Sequence, residues 1–249
     1  MKIVVCVKRV PDTETRIRIG PDGRSIDPSG VKYVLSPYDE FALEAALRTR
    51  EAAGEGEVVA LSLGDASSGE SLRSALAMGA DRAVLLEGEV TADGLATAQA
   101  LAAAVESEAA DLVLLGIRAA DDDQQQVGPM LGTLLRRPCI TGVREFSLEA
   151  GQVVAVREVD GGSETVEAPL PAVLSITKGA FEPRYASLKG IMAAKRKPMD
   201  TAAGAAGASR LEVMSLELPP PRPAGRVVGE GPEAVKELVR LLRDEAKAV

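Results

Sequence analysis

Short apolar runs recur at positions 3–7, 58–63, 83–86 and 111–116, and between them lie stretches of helical spacing at 38–53, 67–78, 91–107 and about 124–135. Short apolar strands alternating with longer amphipathic segments predict βαβ units. The expected class is therefore α/β, an open, mostly parallel sheet with helices on both faces. The first helix opens at Ser36-Pro37. There the serine hydroxyl is expected to accept a backbone N–H, while proline takes the first helical position, where its missing N–H costs no bond.

Two segments interrupt the rhythm, 15–27 around Pro21-Asp22-Gly23 and 144–167 around Gly151 and Gly161-Gly162. Both are predicted as β-hairpins. Beyond Lys197 the pattern changes again. Residues 198–210 are rich in Ala and Gly with little to bury and predict a linker, 211–216 predict a strand, and Pro219-Pro220-Pro221 an extended arm. A last helix over 232–247 places Val235, Leu238, Val239 and Leu242 on one face, which could cover either the chain's own sheet or a partner. The expected organisation is a main domain over 1–197, a linker over 198–210 and an arm over 211–249.

Composition narrows the function. A formal net charge of -8 and an aromatic content of 2% leave neither a general attraction for phosphate backbones nor rings on which bases could stack, so nucleic acid is not an expected partner. The cations Lys195, Arg196 and Lys197 are expected to form a solvated helix end. The chain has no histidine, which excludes Ser-His-Asp and Cys-His catalysis and imidazole-bearing zinc sites. Cys6 and Cys139 fall in apolar runs and are expected to be small buried hydrophobes in a reducing compartment. No stretch approaches the ~18 apolar residues of a spanning helix, and Met1 leads straight into a strand pattern, so a cytoplasmic protein, not membrane-embedded, is expected.

In open α/β sheets, ligands bind beyond the carboxyl ends of the strands, which directs attention to loops 7–12, 63–67 and 116–127. The first strand exits through Cys6-Val7-Lys8-Arg9-Val10, which is not a G-x-G-x-x-G turn, and no Walker A loop is present. Gly116 permits a sharp turn into Arg118-Ala119-Ala120-Asp121-Asp122-Asp123-Gln124-Gln125-Gln126-Val127-Gly128. The Asp run can cap the following helix, face ribose hydroxyls beside a bound phosphate, or hold magnesium in a nucleotide hydrolase. Spacing alone leaves these open.

Several motifs together resemble electron transfer flavoprotein beta subunits. They are the first strand exit, Ser36-Pro37-Tyr38-Asp39-Glu40, Ala75-Leu76-Ala77-Met78-Gly79-Ala80-Asp81 and the 116–128 loop, joined by Arg157-Glu158-Val159-Asp160-Gly161-Gly162 and Leu170-Pro171-Ala172-Val173. The most specific is Pro183-Arg184-Tyr185-Ala186-Ser187-Leu188-Lys189-Gly190-Ile191-Met192-Ala193-Ala194-Lys195. The resemblance implies an adenine nucleotide alpha hydrolase-like fold and a heterodimer in which an alpha subunit holds the redox FAD. The arm would touch that subunit. It also implies a structural AMP in this chain, against Cys6, Ser36, Pro37, Tyr38, Asp39, Leu63, Gly116, Arg118, Ala119, Asp121, Asp122, Asp123, Gln124, Gln125, Gln126 and Val127. Such a carrier, with no bond-changing catalysis of its own, would take electrons from acyl-CoA and other flavin dehydrogenases and pass them to a membrane quinone oxidoreductase. A bifurcating relative would hold a second FAD in place of AMP, and a stress protein on the same scaffold would bind nucleotide and transfer nothing.

The same resemblance makes residues 183–197 a docking segment, with Leu188 as apolar anchor and Tyr185, Ile191 and Met192 beside it. An isolated anchor among polar groups suits a transient interface. Periodicity alone says otherwise, because Leu188, Ile191 and Met192 share one helical face and would close the core.

Overall fold

A computed structural model describes residues 1–204, 207–221 and 224–249. Chain order gives β1 (Lys2–Cys6), β2 (Arg9–Pro11), β3 (Tyr33–Leu35), α1 (Pro37–Ala53), β4 (Glu57–Gly64), α2 (Gly69–Met78), β5 (Arg82–Glu87), α3 (Gly94–Glu108) and β6 (Leu112–Gly116). There follow α4 (Val127–Leu134), β7 (Cys139–Glu149), β8 (Gln152–Val159), β9 (Gly162–Pro169), β10 (Ala172–Ile176), α5 (Leu188–Ala194), β11 (Met199–Ala203) and α6 (Val235–Asp244). Contacts group the chain into two units, Met1–Ser215 and Leu216–Val249.

The first unit is built on a sheet of order β11-β5-β4-β1-β6-β10-β7-β8-β9. From β11 to β7 every neighbouring pair is parallel, and antiparallel pairing is confined to β7–β8 and β8–β9 at one edge, where β8 alone runs against the other strands. Parallel strands covered on both faces must be apolar along their whole length. Val4, Val5, Val59, Ala60, Val113 and Leu114 are accordingly buried in the middle of the sheet. One face is covered by α1 and α2 through Leu43, Leu47, Leu72 and Leu76. The other is covered by α3 and α4 through Leu101, Val105 and Leu131. Each such side chain stabilises the fold by roughly 1.5–3 kcal/mol on burial. The strand order turns back at β1, where β4 lies on one side and β6 on the other, which is the topological switch point of an open α/β sheet.

Several expectations are corrected. Ser36 makes no side-chain cap, and its Oγ is buried without a partner. Its carbonyl instead accepts the N–H groups of Asp39 and Glu40. The third helix starts at Gly94 rather than 91, because Asp93 accepts the N–H of Leu95 and so fixes the start. The fourth starts at Val127 with no side-chain cap, so the Asp run does not cap it. The 15–27 segment closes through a single bridge, Ile19 with Ile26, and the expected hairpin over 144–167 is a three-stranded antiparallel unit of β7, β8 and β9. Within the expected linker, Met199–Ala203 forms edge strand β11 on β5. The expected strand over 211–216 pairs with nothing among the described residues. Ala205 and Ala206 of the linker and Arg222 and Pro223 of the arm lie outside the described residues.

The second unit holds a short 3-10 turn, Pro232–Ala234, and α6, where Arg240 pairs with Glu237 at 2.8 Å. Val235, Leu238 and Val239 are exposed. No described helix is long and apolar enough to cross a membrane.

Candidate functional site

A cleft opens at the switch point, over the carboxyl ends of β1 and β6, with about 820 Å³ of empty space including its mouth. Its floor is apolar: Cys6 from β1, Leu63 from β4, Leu115 from β6 and Leu101 from α3. Gly94, and Val127 with Gly128, bring the first turns of α3 and α4 to its wall. A helix N-terminus presents free N–H groups and partial positive charge, so this wall favours an anion. A flat ring on the apolar floor with an anionic group at the helix starts is the ligand shape these surfaces fit.

Asp39 organises the rear of the cleft. Its carboxylate accepts the backbone N–H of Lys8 at 2.7 Å and of Gly116 at 2.9 Å, bridging the exits of the two central strands. Burial pushes the Asp39 carboxyl up to about 7, against the opposing pull of those two N–H donors and the Lys8 charge. Gly116 must be glycine, since a Cβ there would lie 2.6 Å from Asp39 Oδ1 and 2.7 Å from Tyr38 Cβ. Burial, helped by the Asp39 charge, also raises the Cys6 thiol to about 12, which leaves it an inert part of the floor. Cys139 is only half-buried rather than fully enclosed, yet burial still lifts its thiol to about 11.

The loop between β6 and α4 is drawn across the cleft by side chains. Lys8 Nζ lies 2.8 Å from Asp121 Oδ1 and 2.8 Å from Asp122 Oδ2. Burial works to lower the Lys8 pKa, but the bonds to the two carboxylates outweigh it and raise it. Arg118 donates to Asp123 at 3.0 Å and to Tyr38 Oη at 2.8 Å, and Gln124 Nε2 donates to the Ala92 carbonyl at 3.2 Å. Asp123 and Gln125 take positive φ angles of 56° and 57° to make the required turns.

Of the residues singled out from sequence, Cys6, Asp39, Leu63, Gly116, Arg118 and Ala119 line the cleft, as do Asp122, Gln124, Gln125, Gln126 and Val127. Ser36, Pro37, Tyr38, Asp121 and Asp123 do not. Tyr38, Asp121 and Asp123 stand behind the wall as partners of Arg118 and Lys8. Lys8 and the segment with Thr91, Gly94 and Thr97 line the cleft without having been singled out. The segment follows β5, so the carboxyl-end rule could have found it. Among the described residues, no group of three or more carboxylates and thiols is arranged to hold a metal ion.

Comparison with known proteins identifies the family. A family model described as the electron transfer flavoprotein domain matches residues 24–206. Electron transfer flavoprotein subunit beta from Bradyrhizobium diazoefficiens is 42% identical over 99% of both chains. The Syntrophomonas wolfei protein of the same name is 40% identical, covering 94% of this chain and 92% of that one, and the Homo sapiens protein is 40% identical over 98% and 97%. The chain belongs to the electron transfer flavoprotein beta-subunit family.

In this family member the segment over 183–197 does not close the core, contrary to what its periodicity predicts. Tyr185 is 98% exposed and Leu188 83%, with Ile191 and Met192 also exposed, because α5 seats on α2 through the opposite face. Ala194 is buried, and a Cβ on Gly190 would come within 2.4 Å of the Ala77 carbonyl. Ser187 starts α5 by accepting the N–H of Gly190 at 3.0 Å. The preceding residues are braced by ions. Arg184 reaches Glu44 at 2.7 Å and Glu51 at 2.6 Å, and Arg48 holds the other oxygen of Glu44 at 2.7 Å. The basic end is not fully solvated: Lys197 Nζ donates to the carbonyls of Leu76 at 3.1 Å and Ala80 at 2.5 Å, and burial lowers its pKa.

Proposed function

We propose that the chain pairs with an alpha subunit carrying FAD, and that the heterodimer takes electrons from acyl-CoA and other flavin dehydrogenases and passes them to a membrane quinone oxidoreductase. This chain changes no covalent bond. It stabilises the flavin-bearing partner, holds AMP in the cleft and presents Leu188 to donors. The observation that carries the reading is the pair Tyr185 and Leu188, large side chains left bare on a segment that Arg184 ties to Glu44 and Glu51. An exposed apolar anchor on a braced backbone suits a fast, reversible docking site, since less backbone order has to be imposed on binding.

AMP fits the residues present. The adenine would rest on Cys6, Leu63, Leu101 and Leu115, and the phosphate would take N–H groups at the starts of α3 and α4. The FAD of the partner supplies the redox chemistry when bound. Co-expression with a candidate alpha subunit tests the reading. A yellow heterodimer that an acyl-CoA dehydrogenase reduces supports it; a colourless homodimer indicates a nucleotide-binding protein that transfers nothing.

A further inference from the structure

The helix that displays Leu188 is too short to set its own direction. Helix α5 has 7 residues, and an isolated helix of that length is not stable in water, so its orientation depends on what holds its ends. At its start, Ser187 accepts the N–H of Gly190. Its C-terminal end is held by reciprocal capping with α2. The last carbonyls of a helix have no intrahelical partner and draw positive groups. Arg73 of α2 donates through Nη1 to the carbonyl of Ala194, the last residue of α5, at 2.6 Å and to that of Lys197 at 3.1 Å. Lys197 in return donates through Nζ to the carbonyls of Leu76, in the last turn of α2, and of Ala80 just beyond it. Directly after this clamp the chain enters the sheet, where Ala83 donates its N–H to the Pro198 carbonyl at 3.0 Å. Lys197 is set apart from its neighbours in this role: Lys195 and Arg196 are exposed, whereas Lys197 is half-buried. Gly190 and the buried Ala194 bring α5 close to α2 but offer little side chain to interlock, so without the caps they leave the helix free to pivot.

We propose that Arg73 and Lys197 are positioning residues for electron transfer from flavin dehydrogenases: each caps the other's helix, and together they fix the direction in which α5 presents Leu188 and so set the affinity for the donor. Both act through Leu188 rather than on the flavin. Without the caps α5 frays from its C-terminal end, Ile191 and Met192 lose the face they share with Leu188, and the anchor is offered in many directions, of which the donor accepts few. The proposal rests on the reading of residues 183–197 as the docking segment.

The test uses the flavin-loaded heterodimer as the substrate of an acyl-CoA dehydrogenase, with its concentration taken from flavin absorbance so that only assembled protein is counted. Lys197→Met keeps the apolar stem and removes the donors. The KM for this heterodimer should rise about fivefold or more while kcat stays within about twofold of the parent, the pattern of weakened docking rather than weakened chemistry. Arg73→Met should do the same. The deciding variant is Leu188→Ala/Lys197→Met. If Lys197 acts through Leu188, the double variant has the KM of Leu188→Ala alone, because no anchor is left to aim. A parental KM in both Lys197→Met and Arg73→Met, an effect confined to kcat, or full multiplication of the two effects in the double variant overturns the positioning role while leaving Leu188 as the anchor. A parental KM in Leu188→Ala overturns the docking reading, and the proposal with it.

Discussion

The Asp39 carboxylate accepts the backbone N–H of Gly116 at 2.9 Å, which fastens the first turn of α1 to the last residue of β6. The same carboxylate takes the N–H of Lys8, so one buried side chain ties together the strand exits that form the cleft. Asp39→Ala leaves both donors unpaired in a site too enclosed for water to replace them freely. We expect it to lower unfolding free energy by about 1–3 kcal/mol, read from urea denaturation followed by circular dichroism. It should also lower the nucleotide content of the purified complex. A variant with parental stability and full nucleotide content would contradict this role.

The same residue makes a pH-dependent prediction. Burial raises the Asp39 carboxyl from 3.8 to about 7, so the native state holds this proton more tightly than the unfolded chain does. Its contribution to stability is therefore full below about pH 4 and is lost as pH rises through about 7. Asp39→Asn keeps the shape without the titration. Relative to the parent it should gain stability steadily between about pH 4 and about pH 7 and no further above that, measured as the difference between urea midpoints. A difference independent of pH would show that Asp39 does not titrate in that window.

The central fold was legible because its strands are apolar throughout and its helices keep a clear period, and both signals follow from burial on two sides of one sheet. The 116–127 loop was legible because it follows a strand that ends in Gly116. Other parts depended on contacts far apart in sequence. Nothing local shows that Lys8 will meet Asp121 and Asp122, and without that meeting the Asp run reads as a helix cap. Strand β11 has the sequence Met-Asp-Thr-Ala-Ala and four exposed residues, so it lacks any alternation to detect. Leu188, Ile191 and Met192 do share a helical face. That face points outward because Ala194 and Gly190, small residues with weak hydrophobic signal, make the close contact with α2.

Exposure of Leu188 separates stability from recognition. Leu188→Ala removes a side chain that contacts little in the folded chain, so unfolding free energy should change by no more than about 0.5 kcal/mol. Loss of a docking anchor can cost about 2 kcal/mol or more, and the second-order rate of flavin reduction by an acyl-CoA dehydrogenase should fall by more than tenfold. Stopped-flow measurement of that rate, with FAD and AMP content unchanged, checks both halves. Unaltered transfer would remove Leu188 from the interface.

Arg184 gives the converse case, a residue whose loss should disturb the brace. Burial works to raise the pKa of Glu44, but the bonds from Arg184 and Arg48 hold it below the usual carboxylate value. In Arg184→Ala only Arg48 remains on a carboxylate whose side chain is 2% exposed. We expect a loss of about 1–3 kcal/mol, less than for a fully orphaned buried charge. Proteolysis should now cut near Tyr185 at a protease concentration that leaves the parent intact. A parental digestion pattern would mean that the ion network does not hold the segment.

The most direct measurement is the cofactor content of the complex purified with its alpha subunit, denatured and resolved by chromatography and mass spectrometry. The account predicts one AMP and one FAD per heterodimer. Two FAD and no AMP, or no adenine nucleotide beyond the single FAD, would contradict it.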